Sequence, residues 1–242
     1  GGPEVSYDTQ ETLAGWPWLT GIMVGEGEET FRELLKLYLT EDGGASSGLT
    51  PFLKDIVPEG IAGIVYRKRE GKEGGVIVAA PPRPLTDIDR LPFFYRDSEM
   101  EAFRDRILYY ESGRGCPYRC SYCLSSIDRT VRLRDPSLVK RELQFFLDRR
   151  VAQVKFVDRT FNCNHVHAME IWRYIGEHDN GVTNFHFEIA ADILTEEELE
   201  LLAGLRPGLV QLEIGVQSTN PETLREIRRT MDRKRLWQTV AR

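Results

Sequence analysis

The sequence predicts an α/β protein: about four parallel βα units in its second half, preceded by a smaller α/β segment and a β-hairpin. Three observations carry this reading. From Arg106 onward, apolar runs of strand length alternate with helical patterns, which is the order of parallel βαβ units. Helix start signals stand after these runs, at Asp135-Pro136, at Thr195 with Glu198, and at Asn220-Pro221. The last two runs alternate apolar and polar residues with the period of two that a strand imposes.

The first residues, Gly1-Gly2-Pro3-Glu4-Val5, read as the end of a strand running into a loop; there is no initiator Met, and something is expected to precede them. A short strand is predicted at 21–24. Gly25-Glu26-Gly27-Glu28-Glu29-Thr30 then opens a helix whose Phe31, Leu34, Leu35 and Tyr38 fall at i, i+3, i+4 and i+7, one apolar stripe. The two glycines do not read as a phosphate loop, since Glu26, Glu28 and Glu29 would repel a phosphate while suiting the positive end of the helix dipole. Residues 42–60, rich in Gly and Ser, read as an irregular connection. Strands at 61–67 and 74–79 flank a Lys/Glu/Gly turn, a hairpin with a longer loop. Prolines from Pro81 to Pro92 remove donors and fix φ, which places a domain linker there. The expected division is 1–60, 61–105 and 106–242.

In the last part strands are expected at 106–112, 154–158, 184–190 and 209–216. Val139, Leu143, Phe146 and Leu147 give the first helix its apolar stripe, and Gly204 stops a later one. In the final two strands Phe185, Phe187, Ile189, Leu212, Ile214 and Val216 face one way; Asn184, His186, Glu188, Gln211, Glu213, Gly215 and Gln217 face the other. A parallel sheet covered by helices has two apolar faces, so one polar face means a lined cavity or missing cover. Taken singly, such residues as often satisfy one another or face solvent. In (β/α) barrels the working residues stand at the C-terminal ends of strands, which selects 116–123, 158–162, 188–192 and 217–218.

Cys116-Pro117-Tyr118-Arg119-Cys120-Ser121-Tyr122-Cys123 follows the first of these strands. Thiolates suit zinc and iron–sulfur clusters. A 4Fe-4S cube takes a cysteine on each iron, so three leave one iron open, and an open position separates reactive metal sites from closed structural ones. Zinc would want a fourth ligand, and Cys163, His165 and His167 lie about forty residues on. A disulfide framework suits short secreted chains, whereas this one has 4 cysteines in 242 residues. Inert buried cysteines are common singly, seldom clustered on a Gly/Pro loop.

At these residues the chain resembles the radical S-adenosylmethionine (SAM) superfamily, whose C-x-x-x-C-x-aromatic-C signature is met by Cys116, Cys120, Tyr122 and Cys123. The resemblance implies a partial (β/α) barrel with about four of its six βα units present, in a chain cut at both ends. It implies a 4Fe-4S cluster on the three cysteines, with SAM chelating the fourth iron and being cleaved to a 5'-deoxyadenosyl radical. It implies SAM contacts too: Tyr122, where the backbone meets the adenine; Gln217 and Ser218 in Gly215-Val216-Gln217-Ser218-Thr219-Asn220, with the glutamine at the ribose; and Glu188 at the end of the third strand. Asp158 and Arg159, in Asp158-Arg159-Thr160-Phe161, take the place of the superfamily's G-G-E motif for the SAM amino group, with different letters. Gly1 to Glu4 with Ile22 to Phe31 look like the last strand and helix of the cobalamin-binding domain ahead of many such modules. The D-x-H-x-x-G cobalt motif of that domain is not in this sequence, so cobalamin is expected only in a full-length parent.

A net charge of −6 leaves no footprint for bulk nucleic-acid binding. No apolar run approaches the roughly twenty residues of a membrane span, and no charged-then-apolar leader opens the sequence. With cysteines suited to a reducing compartment, the expectation is a cytoplasmic protein. Cys163 reads as a small apolar side chain, and His165 and His167, two apart on a helix, cannot face one direction as a metal pair. Residues 225–242, rich in Arg and Lys, read as a solvated helix face or a cover for a neighbour rather than an RNA contact. The functional expectation is a radical SAM enzyme performing cobalamin-dependent methyl transfer on an unknown small-molecule or peptide substrate, supplied by an electron donor such as flavodoxin or ferredoxin. Radical oxidation or rearrangement without catalytic cobalamin is the alternative; a non-catalytic zinc-stabilised or scaffold module is the alternative of another class.

Overall fold

The computed structural model describes residues 1–41, 58–69, 75–127 and 130–242. These divide into two units, Gly1–Asp87 and Ile88–Arg242, and the division falls inside the proline-rich stretch. The connection expected at 42–60 and the hairpin turn lie almost wholly outside the described residues.

In the first unit, helices α1 (Pro3–Ser6) and α2 (Thr9–Gly15) precede strand β1 (Gly21–Met23), helix α3 (Glu28–Glu41) and the hairpin strands β2 (Ile64–Arg69) and β3 (Gly75–Ala79). The chain start is helical where the end of a strand was expected. Pro3 stands at the first helical position with φ already set, and Gly2 turns the backbone into it at φ 95°. Because β1 pairs antiparallel with β2, and β2 with β3, the N-terminal strand and the hairpin share one sheet. Side chains alternate across it: Val65 packs with Leu13 and Ile22, while Ile64 and Tyr66 pack with Leu34.

Helix α3 turns a different face inward from the expected stripe. Phe31 and Leu35 are 55% and 40% exposed, whereas Thr30, Leu34, Leu37 and Tyr38 take the inner side. Thr30 explains the rotation. Its fully buried hydroxyl donates to Ala62 O at 3.0 Å and accepts from Arg83 Nε at 2.8 Å, and a buried hydroxyl without partners costs about 1–3 kcal/mol.

The second unit contains β4 (Leu108–Tyr110), the two-residue strands β5 (Gly113–Arg114) and β6 (Arg132–Leu133), α4 (Pro136–Asp148), β7 (Gln153–Phe156), α5 (His165–Glu177), β8 (Asn184–Ile189), α6 (Glu196–Ala203), β9 (Val210–Ile214), α7 (Pro221–Glu226) and α8 (Arg233–Val240). Strands β4, β7, β8 and β9 lie parallel in chain order. That succession, one βα unit per step, is the wall of a (β/α) barrel.

One face of this sheet carries the core. Val154, Phe156, Phe185 and Phe187 meet Val139, Leu143, Phe146, Ile171, Trp172 and Ile175 from α4 and α5, all fully buried. Each such side chain contributes about 1.5–3 kcal/mol by leaving water. The expected caps are present: Asp135 accepts from Ser137 N at 2.8 Å, Thr195 and Glu198 form a capping box, and Asn220 accepts from Glu222 N at 2.8 Å. A buried ion pair anchors the segment entering α4, and a hydrogen bond from Tyr110 to the same carboxylate ties β4 to that helix. Arg134 Nη2 reaches Glu142 Oε1 at 2.7 Å and Leu91 O at 2.9 Å, and Tyr110 Oη donates to Glu142 Oε2 at 2.7 Å.

Candidate functional site

The cysteine loop leaves β4 through a turn that only glycine can make. Gly115 has φ 101°, and a Cβ on it would lie 1.8 Å from Thr130 O. The ribbon of β5 with β6 brackets this turn, Gly113 opposite Leu133 and Arg114 opposite Arg132. Sequence reading gives only a strand and a loop here, because two-residue strands carry no periodic signal.

Cys116 and Cys120 are buried and Cys123 half-buried, all as free thiols. The three line one cavity of about 210 Å³, and Tyr122, Arg159, Glu188 and Gln217 line it with them. Seven of the nine residues singled out in the sequence therefore meet, delivered from the C-terminal ends of β4, β7, β8 and β9. Asp158 and Ser218 are not among the lining residues. Ser218 Oγ accepts from Asn220 N at 3.1 Å, a turn leading into α7.

Asp158 is buried beneath the loop, where it accepts from Ser112 N at 3.0 Å and Ser112 Oγ at 2.7 Å. Burial pushes its carboxyl up to about 7, against the pull of the Ser112 hydrogen bonds. His167 Nε2 lies 3.4 Å from the same hydroxyl, and burial pushes its pKa down. His165 turns elsewhere, with Nδ1 at 3.0 Å from Glu198 Oε1. A second fastening joins the ends of β7 and β8: buried Asn162 donates to Ala190 O and accepts from Ala190 N, both at 2.9 Å.

The polar face of the sheet closes partly on itself. Lys155 Nζ lies 3.0 Å from Glu213 Oε2 and 3.6 Å from Glu188 Oε1. The hydrogen bond to Glu213 raises the lysine's pKa and lowers the carboxylate's. His186 Nε2 also approaches Glu213 Oε2 to 3.0 Å, without the alignment of a hydrogen bond. Gln217 adopts φ 64°, a conformation costing a non-glycine residue about 1–3 kcal/mol. Gly215 makes room for its amide, since a Cβ there would come within 2.8 Å of Gln217 Nε2.

A family model described as the radical SAM superfamily matches residues 110–242, more than half of the sequence and all three clustered cysteines. The chain belongs to the radical SAM superfamily. The superfamily is one of enzymes whose cofactors are a 4Fe-4S cluster and SAM. An uncharacterized methyltransferase of Pyrococcus horikoshii is 27% identical over 232 residues, covering 93% of this chain and 46% of the relative. The anaerobic magnesium-protoporphyrin IX monomethyl ester cyclase of Rubrivivax gelatinosus is 26% identical over 226 residues, covering 90% and 38%. The fold is shared with the radical SAM methyltransferase TsrM of Kitasatospora setae, solved with cobalamin and a 4Fe-4S cluster bound, at a TM-score of 0.67 and 19% identity over 95% of this chain and 44% of that one. The chain spans less than half the length of the curated relatives described here. No helix among the described residues is long and apolar enough to cross a membrane.

Three further residues stand at the cysteines of this radical SAM chain without a role assigned from sequence, and one of them, Arg229, lies outside every stretch selected there. Thr160 Oγ1 lies 3.6 Å from Cys116 Sγ, Arg229 Nη1 lies 3.9 Å from Cys120 Sγ, and Tyr118 lines the same cavity. Arg229 also donates to Gly215 O, which joins the cysteine loop to the end of β9. Thr160 falls in the stretch that the strand-end rule selects, so a signal for it exists. Arg229 stands 109 residues from Cys120, beyond any local pattern. Cys163 is half-buried outside the lining, with its N–H on Thr160 O at 3.1 Å and its thiol pushed up by burial.

Proposed function

We propose that the protein holds a 4Fe-4S cluster on Cys116, Cys120 and Cys123 and cleaves SAM reductively, in the service of cobalamin-dependent methyl transfer. One observation carries this reading: three free thiols share a single cavity with Glu188 and Gln217 from the ends of two later strands. The donor set fits the group. Among the described residues no three His, Cys, Asp or Glu side chains gather as ligands of one metal ion, and a cluster asks for something else, one thiolate on each of several irons. When bound, the cluster supplies an open iron for SAM and the electron that breaks a sulfur–carbon bond to give the 5'-deoxyadenosyl radical.

The chain's own residues orient SAM and shield it. The Glu188 carboxylate offers acceptors to an ammonium or ribose hydroxyl, Gln217 offers a donor and acceptor to the ribose, and the Arg159 guanidinium offers charge to a carboxylate. Tyr122 stands at the adenine position. Asp158 acts through Ser112, holding the backbone that leads to Cys116, and the Thr160 hydroxyl adjusts the electron density on the Cys116 sulfur. Ile189 and Ala190 give the cavity its apolar wall, which excludes water from a reactive intermediate.

Residues 1–60 are read as belonging to a cobalamin-binding domain, 61–105 as hairpin and linker, and 106–242 as the partial radical SAM barrel. The cobalamin and cluster of TsrM, and the Pyrococcus relative's name as a methyltransferase, support methyl transfer. A second reading, radical oxidation or rearrangement, is favoured by the Rubrivivax cyclase, which matches nearly as well. The substrate is a small molecule or peptide, and the electron comes from a carrier such as flavodoxin or ferredoxin.

Anaerobic reconstitution with iron and sulfide, followed by an assay for 5'-deoxyadenosine with dithionite, tests the core of this proposal. Absence of a cluster in the wild type, or an undiminished one in the triple Cys→Ala variant, would sink it. A methylated product that requires methylcobalamin separates methyl transfer from the second reading.

A further inference from the structure

Reductive cleavage consumes an electron, so the proposed function requires a surface where a donor meets the cluster. Resting on that reading, we infer that the groove beside the cysteine cavity is the docking site of a small acidic electron-carrier protein, recognised by Arg119, Arg225 and Arg228. In the step concerned, one electron leaves the reduced carrier and enters the oxidised cluster; no bond or proton changes place.

The groove, about 1010 Å³, is walled by Pro117, Arg119 and Ser121 of the cysteine loop and by Leu224, Arg225 and Arg228 at the end of α7. Ser121 N donates to Ile227 O at 2.9 Å, so the two walls are held to each other by a backbone hydrogen bond. The side chains of Arg119, Arg225 and Arg228 are exposed and, among the described residues, enter no ion pair. Glu222 and Glu226 of the same helix do not line the groove. In a chain of net charge −6, three uncompensated guanidinium groups around one opening form a local field of the opposite sign. Such a field selects an acidic partner and speeds encounter more than it adds affinity.

Position makes that partner an electron carrier. The groove shares Tyr118, Ser126 and Arg229 with the cysteine cavity, and Arg229 spans from the groove to within 3.9 Å of Cys120 Sγ. A protein seated there approaches the cluster through a single loop, and electron transfer falls off steeply with distance. A small anionic ligand finds no buried polar partner among the three arginines.

The test uses the full chain, reconstituted, and its double variant Arg225→Glu/Arg228→Glu, neither residue being part of the cysteine cavity. Formation of 5'-deoxyadenosine is measured with dithionite and, separately, with reduced flavodoxin at low and high salt. The variant is expected to keep its dithionite rate within about twofold, to lose about tenfold or more of the flavodoxin rate at low salt, and to lose the salt dependence of that rate. An unchanged flavodoxin rate overturns the inference, as does an equal fall with both reductants, which would assign the groove to SAM or substrate. If the wild type makes no 5'-deoxyadenosine even with dithionite, the proposed function fails on its own. Flavodoxin binding measured by titration then decides the surface: weaker binding to the variant supports it, and equal binding overturns it.

Discussion

Asp158 Oδ1 accepts the Ser112 hydroxyl at 2.7 Å while its Oδ2 accepts the Ser112 backbone N–H at 3.0 Å. A carboxylate at the end of β7 thereby holds the chain four residues before Cys116. The same contact explains why Asp158 does not line the cavity, although its neighbour Arg159 does.

The Asp158 carboxyl stands at about 7 in the folded chain, against an ordinary 3.8. Between those values the folded state keeps a proton that the unfolded chain has lost. Stability from this group is therefore full at pH below 3.8 and declines as pH rises toward about 7. Urea denaturation at several pH values should show wild-type stability falling relative to Asp158→Asn, by at most about 1.4 kcal/mol per pH unit. A difference that does not vary with pH counts against a buried, protonated carboxyl.

Gly115→Ala should leave the fold cooperative and cripple the cysteine loop. The added methyl meets Thr130 O at 1.8 Å, so the backbone must move, and φ 101° is itself unfavourable for alanine. Iron and sulfide per chain after reconstitution are expected to drop severalfold while the far-ultraviolet circular dichroism holds. Full iron loading would show that the loop finds another route.

Thr160→Val replaces the hydroxyl 3.6 Å from Cys116 Sγ with a methyl of similar size. Iron content should persist, since no ligand is lost. The hydroxyl donates to Arg159 O at 2.8 Å and sets its oxygen beside the sulfur, so removing it changes the local dipole and should shift the cluster's reduction potential. Redox titration followed by electron paramagnetic resonance reads the shift; an unchanged potential removes Thr160 from the cluster's surroundings.

Glu142→Gln breaks the buried pair with Arg134 and leaves a guanidinium without its counter-charge. A loss of about 3–5 kcal/mol in chemical denaturation is expected. A loss below about 1 kcal/mol would mean that water reaches Arg134.

Gln217→Ala removes an amide at the cavity wall and should weaken SAM binding to the reconstituted protein by about 2- to 10-fold, one hydrogen bond's worth. Equilibrium dialysis measures it, and unaltered affinity would take Gln217 out of the SAM site.

Much of this architecture is legible in the chain because its causes are local. The spacing of Cys116, Cys120 and Cys123 is covalent, so three thiols on one loop need no tertiary information. Parity in β8 is a two-residue pattern, and Asn184, His186 and Glu188 do share the face opposite Phe185, Phe187 and Ile189. The caps at Asp135, Thr195 and Asn220 act within three residues of themselves. Helix α3 shows where local pattern stops: its apolar spacing points to Phe31 and Leu35, yet the hydrogen bonds of Thr30 to Ala62 and Arg83 turn them outward.

The sequence by itself determines a βα series, a trio of thiols at its first loop, and a polar face aimed away from the helices. Tertiary structure decides which polar groups meet. It turns Asp158 under the loop and Arg159 into the cavity, sets Lys155 between Glu188 and Glu213, and brings Arg229 to Cys120 across 109 residues. The reason is physical: a strand's period assigns each side chain to a face, whereas the partner waiting there is chosen by the register of other strands and by the burial that makes an unpaired polar group costly.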